Sequence, residues 1–446
     1  MDNPTTSATT GRPLPPGDYG LPWLGEILKL FASNHGFHTE RVAKFGPIYK
    51  TRLLGSRFVV FSGHEAFHTF ATDPRIRRGD ADPLPAQQVF AGSVALYDGE
   101  DQVARKTVML HGVFFRGAIE AYLGRMQALM ERTVDSWSGR TVVLRPELEL
   151  FADRLAGHLF TGDTSEAAAQ RLHSVLGRMQ KAFMTLPVAI PGTVYGKAMR
   201  ARRELEEIVS EAIERHGSGE WDDVVSRMLA AAAAAGIPEE KVAADIRHLM
   251  FTSEPGFSVP LLLVTLALAE HPEVLERARA EVRAVAPEGP VTMDTLDRLV
   301  YLRQVSQELR RYYAMNAATF FGRVTEDLEV GGYRIPKGWG AMGAVHMTLR
   351  DPAEFPDPEV FDPDRFEPAR HAAFPPGRYV PHGDGPPTSH RCPGEDLVTV
   401  AVQLYLAVLL RGYAWSLPPQ DLTLTNEIFP VPASGLVVRL EPLPAA

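Results

Sequence analysis

Pro381-His-Gly-Asp-Gly-Pro-Pro-Thr-Ser-His-Arg-Cys-Pro-Gly-Glu395 runs straight into a strongly apolar stretch, and the spacing there predicts a helix from about Glu395 to Arg411. Cys392 then sits at a helix N-terminus, where backbone N–H groups and the helix dipole favour a thiolate. Gly383, Gly385 and Gly394 let the chain turn tightly and approach a bulky group. His390 and Arg391 place positive charge beside the sulfur. Cys392 is the single cysteine among 446 residues, which excludes an internal disulfide and a zinc site built on paired thiolates. A lone thiol can be a buried apolar filler, a nucleophile or one metal ligand. These surroundings favour the third, an anionic thiolate held against a large planar metal cofactor, haem.

Outward from this loop the chain reads as mainly helical. Arg350 to Arg391 is dense in Pro, Gly and charge, and so long an irregular stretch inside a compact protein is usually functional. Helical periodicity covers about Glu100 to Leu275, with Ile119, Leu123, Met126, Met130, Val134 and Trp137 three or four apart. Further helices are predicted at Pro238–Glu270, His271–Val285 and Asp294–Ala314. Strands fall in minor clusters: Pro47–Leu54 with Arg57–Ser62 around Gly55-Ser56, Leu328–Trp339 around Gly331-Gly332, and a hairpin over Leu422–Leu440 around Ser434-Gly435. Residues 1–13 read as a disordered tail and 14–446 as one domain. Apolar content of 45% and charged content of 23% are ordinary for a globular chain. A net charge of −9 gives no basic field for nucleic acid. Met1 to Pro16 has neither a basic n-region nor an apolar core. The longest apolar run, Val259–Ala269, is too short for a membrane span and contains Pro260. These features predict a cytoplasmic protein with no nucleic-acid or membrane partner.

A second element lies upstream. Glu308-Leu-Arg-Arg311 puts Glu308 and Arg311 on one helix face, and Phe361-Asp-Pro-Asp-Arg-Phe366 supplies Arg365 from the Pro-rich stretch. Together they can staple that stretch to the helix. With the loop ending His390-Arg-Cys-Pro-Gly394, these elements resemble the cytochrome P450 family over nearly the whole chain, from Leu14-Pro-Pro-Gly17 onward. Gly20-Leu-Pro-Trp-Leu-Gly25 and Phe45-Gly-Pro-Ile-Tyr-Lys50 look like the branch that hydroxylates retinoid-type acids. The resemblance implies a triangular, mainly α fold with small sheets, haem b as cofactor and Cys392 as the proximal iron ligand. It also implies a structural role for Glu308, Arg311 and Arg365. Arg323, His390 and the Arg105/Lys106 pair become candidates for holding the haem propionates.

The sequence departs from the family at two places. The family's distal helix carries an acid–alcohol pair for proton delivery, whereas this chain reads Phe251-Thr-Ser-Glu-Pro-Gly-Phe-Ser258. Counting back from Pro272 puts Pro255 at the acid and Gly256 at the alcohol; a shift of one puts Glu254 and Pro255 there. Either way the alcohol is missing, and Pro255 and Pro260 each remove a helix N–H. Thr252 or Ser258 is left as a substitute donor. The Cys loop is also about three residues longer than usual, so that His382 takes the place of a Phe near the cofactor. The fatty-acid peroxygenase branch combines a long loop with a lost pair, but has Arg-Pro where this chain has Glu254-Pro255.

The expectation is a haem-thiolate oxidoreductase working through iron–oxo chemistry on a small, mostly apolar organic molecule, a natural product or an amine held by Glu254. Thr252, Glu254, Pro255 and Gly256 are placed nearest the iron, with Val89–Leu96, Phe251–Ser258 and Met315–Phe321 as pocket walls. Three alternatives stay open: an oxygen-dependent monooxygenase served by a ferredoxin-type donor at the Cys392 face, a hydrogen-peroxide-driven or isomerase-like enzyme without redox partners, and a non-catalytic haem sensor.

Overall fold

The architecture is organised around one helix, Glu239–Glu270, buried on nearly every side through its C-terminal half. At 1.5 Å per residue its 32 residues span about 48 Å. A helix apolar all round belongs in a core. In the computed structural model, which describes residues 11–79, 81–185, 187–217 and 223–443, this central helix packs against Leu144–Phe160, Val194–Gly217, Val300–Tyr313 and Glu395–Gly412. Among the described residues it is the one helix long and apolar enough to cross a bilayer, but 78% of that window is buried inside the protein.

The strands lie outside the helical body in three small sheets. The largest has five strands in the order Ile48–Leu53, Ser56–Phe61, Gly340–Gly343, Gly322–Val324, Ile76–Arg77. Its one parallel pair sets Gly340 opposite Phe58. A Cβ on Gly340 would lie 2.3 Å from the Phe58 ring, so the close approach of these strands requires glycine there. A two-stranded hairpin, Leu328–Val330 with Tyr333–Ile335, turns at Gly331 and Gly332, both at positive φ.

Three boundaries differ from the sequence reading. Arg12 pairs with Glu329 at 2.7 Å, and the Pro13 carbonyl accepts from the Arg334 N–H, so 11–13 are anchored on this hairpin; the rest of the expected tail lies outside the described residues. The helix expected over 294–314 breaks at Leu299 into Met293–Arg298 and Val300–Tyr313. Gln403 donates 2.9 Å hydrogen bonds to the carbonyls of Leu296 and Leu299 at the break, each of which also accepts a backbone N–H. At the C-terminus the expected hairpin does not turn at Ser434-Gly435. Val437–Pro442 pairs instead with Thr141–Val143 and Tyr413–Ser416, because Leu436, Val438 and Leu440 are drawn into the core.

The helix Val300–Tyr313 carries the ion cluster. Arg311 donates both arms of its guanidinium to Glu308 at 2.7 Å, with both side chains fully buried. It also reaches the carbonyls of Leu349, Pro358 and Val360. Glu308 takes the Asp362 N–H at 2.8 Å, and Arg365 comes within 3.6 Å of the same carboxylate while bonding the carbonyls of Pro356 and Asp357. The irregular Pro-rich stretch is thus tied down chiefly through its backbone carbonyls. Glu308→Gln leaves a buried guanidinium without its counter-charge and is expected to cost about 3–5 kcal/mol, read by denaturant unfolding. Arg277→Ala, at the exposed Arg277–Asp364 pair, should cost under about 1 kcal/mol.

Candidate active site around Cys392

Cys392 closes the loop that precedes Glu395–Gly412. Its N–H donates to the His382 carbonyl at 2.8 Å, so the lengthened loop folds back on itself. Gly383 and Gly385 stand at positive φ within it. Arg391 fastens the base of the loop to Glu395 at 2.5 and 3.0 Å. The sulfur has open space beside it yet lies deep inside the protein, so it faces an internal cleft. Burial pushes the thiol's pKa up, while the Lys106 ammonium and the Gly394 N–H act in the thiolate's favour.

Of the candidate cations, Lys106 is at the loop: its Nζ donates to the Arg391 carbonyl at 2.7 Å, and burial brings its pKa down to about 8. Arg105, the adjacent residue, points elsewhere. It grips Asp245 of the central helix at 2.6 and 2.8 Å and the Gly92 carbonyl at 2.7 Å, so it fastens segments together, while its Nη1 is buried without a hydrogen-bond partner. Neighbours on a helix lie about 100° apart, and that rotation separates the two roles. His390 lies 3.1 Å from Asp98. Burial opposes ionisation of Asp98, but bonds from His390, Gly79 and Arg78 prevail and hold it at about 2. Arg78, which the sequence reading missed, donates to the Phe320 carbonyl and is brought down to about 10 by burial. Arg78 and Lys106 both depress His390, so these cations share one region. Arg323 is exposed on its strand, paired across the sheet with Arg77.

The His382 ring is buried against Arg310 of Val300–Tyr313. Its Nε2 accepts from Arg310 Nη1 at 3.0 Å, which leaves the ring proton on Nδ1, and burial with Arg310 keeps it neutral, at about 3. Its contribution is to position the loop, by ring and by carbonyl.

The central helix presents two different faces. Glu254 is buried and accepts from Gln180 Nε2 and, at 2.8 Å, from Ser258 Oγ. Its charged neighbours are Glu149 and Asp153 of Leu144–Phe160 and His173 of Glu166–Gln180. Glu254 therefore faces these two helices and does not stand over the cofactor, contrary to the expectation that it would hold a cationic substrate. At about 100° per residue, Thr252 lies about 160° and Gly256 about 200° around from it, on the opposite face. That face carries His248, which feels Lys106, as Cys392 does. Thr252 and Gly256 therefore turn away from the helices that Glu254 faces, and a Cβ on Gly256 would meet nothing within 4 Å. The Thr252 hydroxyl donates back to the His248 carbonyl at 2.9 Å, and Ser253 to Leu249 at 2.6 Å.

Above this face stands an aromatic wall. Phe90 meets Phe251 and Phe320 at 5.7 Å, Phe183 at 5.9 Å and His248 at 4.9 Å between ring centroids. Phe90, Phe251 and Phe320 come from the three predicted wall segments. Phe183 comes from a short turn with no periodicity to announce it.

Among the described residues no group of three or more His, Cys, Asp or Glu could hold a metal ion. One thiolate facing an internal cleft, with buried cations beside it, fits a metal that arrives with its own in-plane ligands and carboxylate arms, as haem does.

The environment of Glu254 yields a pH prediction. Burial, then Glu149, raises its pKa to about 7, above an unfolded value of about 4.3. The stability it confers is whole below pH 4 and is lost as pH rises through 7. A glutamine at this position would lack the dependence. Glu254→Gln should therefore gain on the parent by roughly 3 kcal/mol between pH 5 and pH 8, measured by urea unfolding at both values.

Comparison with known proteins agrees with this geometry. The Cytochrome P450 family model matches residues 157–442. "Putative cytochrome P450 120" of Synechocystis sp. is 31% identical over 97% of both chains. Abscisic acid 8'-hydroxylase 1 of Oryza sativa is 27% identical over 96% of this chain and 91% of its own length. The structure of retinoic acid-bound cyanobacterial CYP120A1 superposes with a TM-score of 0.88, at 28% identity, covering 97% of this chain and all of that one. The myristic acid complex of CYP152N1 shares the fold, with a TM-score of 0.80 at 21% identity over 97% of this chain and all of that one. The lone thiolate in its Gly-rich loop, the buried Glu308–Arg311 pair and these matches lead to one conclusion: the chain belongs to the cytochrome P450 family.

Proposed function

We propose that this haem-thiolate oxidoreductase oxidises a small, predominantly apolar molecule held under the wall of Phe90, Phe183, Phe251 and Phe320, without the usual acid–alcohol proton relay. The supporting observation is the commitment of every hydroxyl on Phe251–Ser258 to an internal acceptor. Thr252 and Ser253 bond carbonyls one turn back, and Ser258 bonds Glu254. Haem b, when bound, supplies the oxidising chemistry; Cys392 holds it from the loop side. Lys106, Arg78 and His390, with Arg105 beside them, would hold its carboxylates. Arg323 is included in the same role on the resemblance alone.

The aromatic wall favours apolar substrates, and the relatives named for retinoic acid and abscisic acid set the size range. With Glu254 turned away, an amine-bearing substrate loses its rationale. Two oxidant supplies fit the class: dioxygen with a ferredoxin-type donor, and hydrogen peroxide. The internal bonding of the Thr252, Ser253 and Ser258 hydroxyls favours the second. A cytoplasmic location and a single domain over 14–446 belong to the same proposal.

The reduced, CO-bound protein should show the red-shifted Soret band of thiolate ligation, and Cys392→Ala should lose it. A histidine-type band would contradict the assignment. Purified protein supplied with a candidate substrate should turn over with peroxide alone. Turnover confined to ferredoxin and NADPH would favour the monooxygenase reading, and tight haem with no turnover in either system would favour a sensor.

A further inference from the structure

The aromatic wall contains one ring that is not a hydrocarbon. His248 of the central helix lies 4.9 Å from the Phe90 ring centroid, and Phe251 and Thr252, three and four residues on, share its face. The ring is deep inside the protein yet keeps accessible surface, so it borders the internal cleft. Its Nδ1 lies 3.3 Å from the hydroxyl of Ser93, a fully buried residue. Its Nε2 has no hydrogen-bond partner among the described residues and is not closed over by protein, so it opens into the cleft. A ring nitrogen without a partner in an apolar wall is costly, unless a bound molecule satisfies it. Burial, then Lys106, keeps the imidazole neutral, at about 3. The adjacent guanidinium, Arg247, is committed to Glu206 and the Ala91 carbonyl.

We propose that His248 is the polar anchor of the pocket, holding through Nε2 the one uncharged oxygen function, a hydroxyl or a carbonyl, of an otherwise apolar substrate. This deepens the function proposed above and rests on it. The Ser93 hydroxyl can donate or accept, so it is compatible with either tautomer of the ring. With Ser93 donating to Nδ1, the ring proton is on Nε2, which donates to a carbonyl or hydroxyl oxygen. With Nδ1 donating to Ser93, Nε2 accepts, and only a hydroxyl fits. A hydroxyl therefore suits both states and a carbonyl one. A carboxylate suits neither: against a neutral ring and the phenylalanine wall it loses its water without gaining a counter-charge. Tying one end of an apolar molecule also restricts which of its carbons reaches the oxidant.

Retinol, retinal and retinoic acid carry the three oxygen functions on one skeleton. Their dissociation constants are read on the holoenzyme by the substrate-induced shift of the Soret band, and by equilibrium dialysis, which does not depend on the haem spectrum. Retinol should bind about tenfold tighter than retinoic acid, with retinal between the two or level with retinol. His248→Phe keeps a ring in the wall and removes the nitrogen. It should weaken retinol about tenfold, the loss of one hydrogen bond, and leave retinoic acid unchanged. His248→Gln can place an amide close to the position of Nε2, and should return retinol binding to within about threefold of the parent. A ring that served packing alone would move all three ligands together and lower the urea midpoint in both variants. Tightest binding of the acid, a uniform effect of His248→Phe, or binding of none of the three overturns the proposal. Failure of the underlying function would appear separately, as absence of the thiolate Soret band from the parent while dialysis still shows the preference for retinol.

Discussion

Two buried arginines on consecutive positions hold this molecule in shape. A guanidinium away from water must place its five donors or carry a heavy desolvation cost, and Arg310 and Arg311 are both almost wholly buried. Arg311 satisfies itself on Glu308 and on carbonyls of the Pro-rich stretch. Arg310 turns the other way and bonds Ser306, Thr399 of the cysteine helix and the His382 ring. One helix thereby fixes both the long irregular segment and the loop that ends in Cys392. The sulfur's position follows from these two sets of bonds together with the single N–H that Cys392 gives back to His382.

The central helix runs against its own local preferences. Two prolines stand in the interior of an element whose remaining residues are chosen for burial. Tertiary packing against the surrounding helices overrides the propensity cost. Such local violations concentrate where a protein works.

Much of this was legible in the sequence, for identifiable reasons. Cys392, Glu308 and Arg311 sit in patterns whose spacing carries their meaning: a helix start, a three-residue step on one face. Helix positions were readable from periodicity, because the core is made of amphipathic and fully apolar stripes. Directions around a helix were harder. Glu254 and Gly256 are two residues apart yet face opposite ways, and a count from Pro272 fixes position along the helix but not which neighbour each side chain meets. Arg105 and Lys106 show the same ambiguity, resolved by Asp245 from a segment 140 residues away. Arg78 and Asp98 could not be found from local pattern at all. Their significance comes from meeting His390, nearly three hundred residues downstream. The C-terminal hairpin was misplaced because Ser434-Gly435 is a turn signal in its own right, while strand partners are chosen by the core.

The two cations Arg78 and Lys106, gathered beside a His390 whose pKa burial depresses, have a consequence for how the protein matures. Like charges gathered under cover repel, and Asp98 answers only part of that charge. A cofactor that brings two carboxylates acts as counter-ion as well as reagent, so its binding and the folding of the surrounding segments are linked equilibria. Each tenfold excess of free haem over its dissociation constant adds about 1.4 kcal/mol to the folded state. The yield of folded protein in a cell will therefore follow haem supply, with the apoprotein the form most exposed to proteolysis.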